Sequence, residues 1–96
     1  MNIHYSPRAF KEYITLLEYT EKEWSYKQAE KLDKQISDIL VKISKHSTMF
    51  RTSKKQTKLH CCPLLKHTII YYRIKKNYIE VVSFRGGRMN PKTLNL

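Results

Sequence analysis

The first part of the chain predicts a short strand and then an amphipathic helix. Ile3 and Tyr5 alternate with polar neighbours, as in a half-exposed strand. Ser6 and Pro7 favour a helix start, because serine caps free backbone amides and proline fits the first helical turn. Apolar side chains then recur at helical spacing, namely Phe10, Tyr13, Ile14 and Leu17. The charged side chains fall largely on the remaining face, namely Lys11, Glu12, Glu18 and Glu21.

A second helix is predicted from Tyr26 to about Lys45. Ser25 and Gln28 form a capping box, in which each side chain satisfies a free backbone amide of the other residue. The apolar stripe is regular and comprises Ala29, Leu32, Ile36, Ile39, Leu40 and Ile43. Because so few residues separate the two helices, we expect them to pack antiparallel.

The second half of the chain predicts a loop and three strands. Helical spacing is lost over residues 46–57, where Met49 and Phe50 are the expected anchors to the core. Three apolar runs follow, at about 58–64, 67–74 and 78–84. Their short connections require antiparallel hairpins. Pro63 cannot donate to a strand ladder, which places the first run at an edge of the sheet or at a bulge.

These elements predict an α+β fold in a single domain, residues 1–96. The order is β-α-α-β-β-β, with an antiparallel helical hairpin followed by a three-stranded antiparallel sheet. Alternation in the middle strand turns one set of side chains towards the helices, namely Thr68, Ile70, Tyr72 and Ile74. The other set is expected to be exposed, namely His67, Ile69, Tyr71 and Arg73.

Composition narrows the class of protein. Hydrophobic residues make up 41% of the 96 residues, enough for one core. No apolar run approaches the roughly 20 residues that span a bilayer, and the N-terminus lacks the apolar region of a secretory signal. We therefore expect a soluble, cytoplasmic protein with no membrane partner.

The cysteines predict neither a disulfide nor a metal site. Cys61 and Cys62 are adjacent, so their side chains point to opposite faces of a strand. His60 precedes them, but the same alternation spreads the three side chains over two faces, whereas zinc needs four converging ligands. We expect reduced thiols, no metal and no cofactor.

Positive charge is concentrated in the second half of the chain. The net charge is +11, yet residues 1–50 carry eight Lys and Arg against seven Asp and Glu. Residues 51–96 carry eleven Lys and Arg against the single acid Glu80. Such a one-sided field attracts a polyanion or an acidic protein partner. The alternative is a basic surface that only confers solubility.

The last apolar run leads directly into Arg85, Gly86, Gly87 and Arg88. The planar fork of arginine suits phosphate, and paired glycines let backbone amides approach a ligand closely. One interpretation is therefore a flexible, phosphate-facing turn. The other is a hairpin end with solvated arginines.

The order of elements, the segment YSPRAFKEY and the segment KHTIIYYRIKKNYIEVVSFRGGRMNPKTL together resemble the RelE/ParE superfamily of bacterial toxins. The most specific parts are the Tyr-Tyr-Arg-Ile strand, the Ile-Glu-Val-Val strand and Arg88, followed by Asn90-Pro91 and Lys92. The resemblance implies a toxin of a type II toxin-antitoxin module, with its sheet curved around a basic cleft. It also implies a cognate antitoxin, which we expect to be acidic and partly disordered.

The resemblance leaves the target open, because RelE-like members cut mRNA on the ribosome whereas ParE-like members poison DNA gyrase. The basic second half and Arg88 favour an mRNA interferase, a metal-independent endoribonuclease, and this is our first hypothesis. The sequence His67-Thr68-Ile69-Ile70 lacks the middle-strand arginine of the cleaving members, which favours a non-enzymatic gyrase inhibitor. A third alternative is a decayed homologue that only binds its antitoxin.

Three residues are candidates for catalysis. Arg88 matches an arginine that the cleaving members use to hold phosphate, Arg85 is a second cation, and His67 titrates near neutrality and suits proton transfer. The alternative for His67 is a local hydrogen bond. Candidate nucleic-acid contacts are Lys54, Lys55, Lys58, Lys66, Arg73 and Tyr71. Tyr71 either stacks on bases or packs within the sheet, and Glu80 is either a base or a cross-strand partner.

Overall fold

The computed structural model describes residues 1–52, 58–64 and 68–86. In chain order its elements are β1 (Asn2–Tyr5), α1 (Pro7–Glu23), α2 (Tyr26–Lys45), β2 (His60–Leu64), β3 (Thr68–Ile74) and β4 (Tyr78–Gly86). The predicted α+β fold and its order of elements are confirmed.

The sheet has the strand order β1-β4-β3-β2. The pairs β2–β3 and β3–β4 are antiparallel, and β2 lies at an edge, where Pro63 is tolerated. β1 adds a fourth strand, parallel to β4, with its last residue Tyr5 opposite Val81. The long connection between β1 and β4 makes this parallel pairing possible, since a parallel pair cannot be joined by a tight turn.

α1 begins beside β4, at the point where the pairing of β1 ends. The Ser6 hydroxyl caps the helix by accepting a hydrogen bond from the Ala9 amide at 3.0 Å. Ser6 also binds the sheet, because its amide donates to the Val81 carbonyl and its hydroxyl to the Val82 carbonyl, each at 2.9 Å. The first turn of α1 is therefore held against the middle of β4.

The main core lies between the two helices and one face of the sheet. α2 buries nearly all of its predicted stripe, namely Ala29, Leu32, Ile36, Leu40 and Ile43. The strands contribute Cys62, Ile70, Tyr72, Ile79, Val81 and Phe84. In the part of the chain that the structure describes, no helix is long and apolar enough to cross a membrane.

The predicted buried stripe of α1 was correct for Tyr13 and Leu17 but wrong for Phe10 and Ile14. Phe10 and Ile14 are 56% and 40% exposed, whereas Ala9 is completely buried. The side chains of α1 that pack against the core are Tyr13, Leu16 and Leu17. Ser6 holds the first turn close to β4, and the small Ala9 fits that close approach. The buried side of the helix is therefore centred nearer Ala9 than Phe10.

The segment after α2 is fixed to the sheet by polar contacts. The Tyr72 hydroxyl donates to the Ser47 carbonyl at 2.8 Å. The His60 ring stacks on Tyr72 with its centre 4.9 Å away, and its Nδ1 lies 2.7 Å from the Phe50 carbonyl oxygen. Phe50 packs against the core as predicted, but Met49 is exposed and was wrongly expected to be an anchor.

Candidate functional site

Some of the predicted site residues lie on the sheet face opposite the helices. Tyr71, Arg73 and Arg85 are on this side, which we call the outer face, and Lys58 is exposed just before β2. The other candidates lie outside the described residues: Lys54, Lys55, Lys66, His67 and Arg88. The structure thus brings three of the predicted residues to one surface.

A β-bulge in β4 interrupts the regular pairing with β3. Tyr72 lies opposite Val81, but the preceding residue Tyr71 lies opposite Ser83. Val82 is therefore an extra residue in β4, and the strand alternation shifts by one position there.

The bulge decides which side chains of β4 reach the outer face. Before it, Val81 packs in the main core; after it, Phe84 does. Strict alternation from Val81 would instead send Ser83 and Arg85 into the main core and turn Phe84 away from it. The bulge keeps the Phe84 ring in the main core and places the Ser83 and Arg85 side chains outside it.

Arg85 lies within β4, and the expectation of a flexible turn at this position was wrong. Its pairing partner on β3 is Ile69, and the ladder continues to Gly86 opposite Thr68. The pairing with β3 outlasts the apolar run, because backbone hydrogen bonds do not require apolar side chains. Arg85 therefore projects from a fixed strand.

The Arg85 side chain belongs to a three-residue network between β4 and α1. Its Nε donates to the Ser83 hydroxyl at 2.9 Å, and that hydroxyl donates to Glu12 Oε1 at 2.7 Å. Arg85 Nε also lies 3.8 Å from Glu12 Oε2. Ser83 is completely buried. The network therefore joins a carboxylate of the helix layer to a guanidinium of the outer face.

Tyr71 is buried, contrary to the expectation of an exposed strand face. It is only 9% exposed and packs with Leu59 and Val82 in a second, smaller hydrophobic cluster. Burial raises the pKa of the Tyr71 hydroxyl and Cys61 adds to the increase, while the positive charge of Arg85 partly opposes it. Little of the ring surface is left to stack on a base.

A row of polar and aromatic side chains crosses the other end of the outer face. Arg73 lies directly opposite Glu80, in the register that a cross-strand pair requires. On the β1 side of β4, His4 lies opposite Glu80. The His4 ring also stacks on Tyr78, with the two ring centres 4.6 Å apart. The outer face therefore carries an acid and a cation at this end, Glu80 and Arg73, just as Glu12 accompanies Arg85 at the other.

Cys61 and Cys62 point to opposite faces, as predicted, and do not form a disulfide. Burial raises the pKa of the Cys62 thiol to about 11, so it is protonated and unreactive near neutral pH. Within residues 1–52, 58–64 and 68–86, no three His, Cys, Asp or Glu side chains are grouped so that they could hold a metal ion.

Comparison with known families identifies the class of protein. The family model for the ParE toxin of the type II toxin-antitoxin system parDE matches residues 3–91, which include all of the described strands and helices except the first residue of β1. The chain belongs to the ParE toxin family. A search of curated proteins found no match.

Two solved structures share the fold of this ParE-family chain. The chromosomal ParDE TA system from P. aeruginosa aligns with a TM-score of 0.75 at 12% identity, covering 90% of this chain and 95% of that one. The YoeB dimer from Staphylococcus aureus aligns with a TM-score of 0.63 at 21% identity, covering 88% of this chain and 94% of that one. At these identities the likeness concerns the fold alone.

Sequence reasoning missed two members of the site of this ParE-family chain. Glu12 was assigned to the solvent face of α1, and Ser83 was not distinguished from its neighbours in β4. A signal existed in the Val-Val-Ser-Phe-Arg segment, because strict alternation conflicts there with burial of Phe84. Recognising a bulge at this point would have placed Ser83 and Arg85 together on the outer face.

Proposed function

We propose that this ParE-family toxin inhibits growth by binding DNA gyrase, without itself catalysing a reaction. The family match over residues 3–91 carries the proposal, since ParE-like members of the superfamily poison gyrase. The positive charge of residues 51–96 favoured RNA cleavage, whereas the family match favours DNA gyrase as the target.

The described part of β3 supports the same choice. Ahead of Tyr71 this strand presents Thr68, Ile69 and Ile70, of which Thr68 and Ile70 are buried. Among the described residues of β3, no cation therefore precedes the paired tyrosines, where RNA-cleaving relatives tend to use an arginine. Burial of Tyr71 also removes the base-stacking role that RNA binding suggested.

Charge attraction supplies the binding mechanism in this proposal. Arg73 and Arg85 lie on the outer face, and Lys58 is exposed at the start of the β2 segment. We extend the proposed basic surface to residues outside the described part of the chain: Lys54, Lys55, Lys66 and Arg88. A surface of this sign accelerates association with an acidic protein surface or with DNA held by the target.

Cleavage of mRNA on the ribosome is a second candidate, favoured by the eleven Lys and Arg of residues 51–96. In that reaction Arg88 and Arg85 would stabilise the charge of a phosphorane-like transition state. His67 would transfer a proton to or from the reacting oxygen.

Two assays on the purified toxin separate the candidates. The first measures supercoiling and DNA breaks in the presence of gyrase, and the second measures the integrity of a message translated by ribosomes. Gyrase-dependent breaks with intact message support our proposal. Cleaved message with normal supercoiling refutes it and supports the second candidate.

A matched pair of variants tests the role of the outer face. Arg73→Gln and Lys76→Gln each remove one positive charge, but Lys76 is an exposed residue between β3 and β4. We expect Arg73→Gln to weaken inhibition about fivefold, equivalent to about 1 kcal/mol, and Lys76→Gln to have little effect. Equal losses would show that net charge, and not the outer face, determines binding.

A type II toxin has a cognate antitoxin that neutralises it. We propose that the antitoxin of this chain is acidic and partly disordered, and that it becomes ordered on the basic surface. We further propose that the toxin acts in the cytoplasm, where gyrase and ribosomes are both present.

A further inference from the structure

The network between α1 and β4 assigns a role to Glu12. We propose that Glu12 is a positioning residue that acts through Arg85, by fixing the guanidinium in the orientation with which the outer face binds its target. This inference rests on the proposed function only in treating Arg85 as part of the target-binding surface.

The contact between Arg85 and Glu12 is largely shielded from solvent. The Arg85 and Glu12 side chains are 12% and 27% exposed, low values for charged residues. Between them the buried Ser83 hydroxyl donates to Glu12 and accepts from Arg85, so its rotation is fixed by both partners. Hydrogen bonds that involve charged groups away from bulk water are stronger and more directional than pairs on an open surface.

Two features of the fold bring Glu12 to this place. The hydrogen bonds of Ser6 to the Val81 and Val82 carbonyls hold the first turn of α1 beside β4. The extra residue Val82 then turns Ser83 and Arg85 out of the main core. The Glu12 carboxylate therefore reaches β4 beyond Tyr5, the last residue of β1.

The network determines the orientation of Arg85 as well as its location. The hydrogen bond that Nε donates to the Ser83 hydroxyl, together with the nearby Glu12 carboxylate, restrains the plane of the guanidinium, and this plane sets the direction of its terminal N–H groups. Recognition of carboxylate or phosphate by arginine depends on that direction, because two parallel hydrogen bonds form only when both planes match. Arg85 lies opposite Ile69, which packs with Tyr71 on the outer face, so the guanidinium projects from that face.

The test compares growth arrest after induction, normalised to the amount of soluble toxin, for four variants. Glu12→Gln keeps the size of the side chain and removes its charge, and Arg85→Lys keeps the charge and removes the planar fork. The third variant combines the two changes, and the fourth is the control Glu18→Gln on an exposed position of α1. Thermal unfolding of each purified protein reports its stability separately.

We expect Glu12→Gln and Arg85→Lys each to weaken growth arrest about tenfold at temperatures where both proteins are folded. The double variant should be no weaker than Arg85→Lys alone, because both changes remove the same function. The control should match the unsubstituted toxin. If Glu12→Gln does not fold, Glu12→Asp, which keeps the charge on a shorter side chain, carries the same expectation.

Three results would overturn the inference. Growth arrest unchanged by Glu12→Gln, with only the melting temperature lowered, would make Glu12 a purely structural residue. Losses that multiply in the double variant would show that Glu12 acts independently of Arg85. Full activity of Arg85→Lys would show that charge, and not orientation, matters. Growth arrest does not depend on which target is inhibited, so failure of the gyrase assay leaves this comparison intact.

Discussion

Replacement of Tyr72 by phenylalanine removes a single hydroxyl from the interior of this toxin. Tyr72 is completely buried, and its hydroxyl donates to the Ser47 carbonyl at 2.8 Å. The ring also stacks on His60 at a centre-to-centre distance of 4.9 Å. Phenylalanine keeps the ring, its packing and this stacking, so the change isolates the hydrogen bond that fixes the segment after α2.

The expected cost follows from that one bond. A neutral hydrogen bond contributes about 1 kcal/mol net, and the partly buried Ser47 carbonyl left without its donor adds to the loss. We expect Tyr72→Phe to lower the free energy of unfolding by about 1–2 kcal/mol. For a chain of this size, that corresponds to a fall in Tm of about 5–10 °C.

Thermal unfolding followed by circular dichroism measures the loss. Tyr26→Phe is the matched control, because Tyr26 is exposed at the start of α2 and its hydroxyl should contribute less than about 0.5 kcal/mol. Equal Tm values for the two variants would refute the contact between Tyr72 and the segment after α2.

The pH dependence provides a second measure of the same residue. Burial raises the pKa of Tyr72 from 10.0 to about 12, so the folded state keeps the hydroxyl protonated where the unfolded state ionises it. The resulting stability is complete below pH 10 and is lost as pH rises from 10 to about 12. Phenylalanine cannot ionise. The stability difference between the two proteins should therefore shrink above pH 10.

Three further predictions concern the core, the helix caps and the fluorescence of the protein. Burial raises the Cys62 pKa from 9.0 to about 11, so stability should decline between pH 9 and 11, and Cys62→Ala should flatten that decline in a denaturant titration. In chemical unfolding, Ser6→Ala should lower the free energy of unfolding by about 2 kcal/mol and Ser25→Ala by about 1 kcal/mol. The larger loss is expected because the Ser6 hydroxyl also donates to the Val82 carbonyl, and equal losses would contradict that hydrogen bond. Trp24 is the sole tryptophan and is 76% exposed, so its emission maximum should hardly move on unfolding, and a large red shift would contradict its placement.

The parts of the fold that were predictable are those in which local pattern and burial agree. The stripe of α2 is apolar on one side only, so its buried residues followed from helical spacing. α1 is apolar on two adjacent sides, and spacing alone did not distinguish Ala9 from Phe10. The hydrogen bonds between Ser6 and β4 determine which side of α1 is buried, and they join residues that are distant in the chain.

The candidate site was less predictable for a related reason. Alternation predicts a side-chain direction only while the ladder is regular, and the extra residue Val82 reverses it just before Ser83 and Arg85. Glu12 enters the site because α1 packs beside β4, a relation that charge and spacing in the sequence do not encode. Tyr71 was wrongly expected at the surface. A second hydrophobic cluster on the outer face buries it, and this cluster has too few members to form a recognisable pattern in the sequence.

Pulse labelling after induction of the toxin tests the proposed target most directly. Incorporation of labelled thymidine reports DNA synthesis, and incorporation of labelled amino acid reports translation, in parallel cultures sampled over the first minutes. Co-expression of the cognate antitoxin serves as the control and should restore both. A gyrase-directed toxin predicts that DNA synthesis falls first while translation continues. An immediate fall in translation, with DNA synthesis intact, would contradict our account.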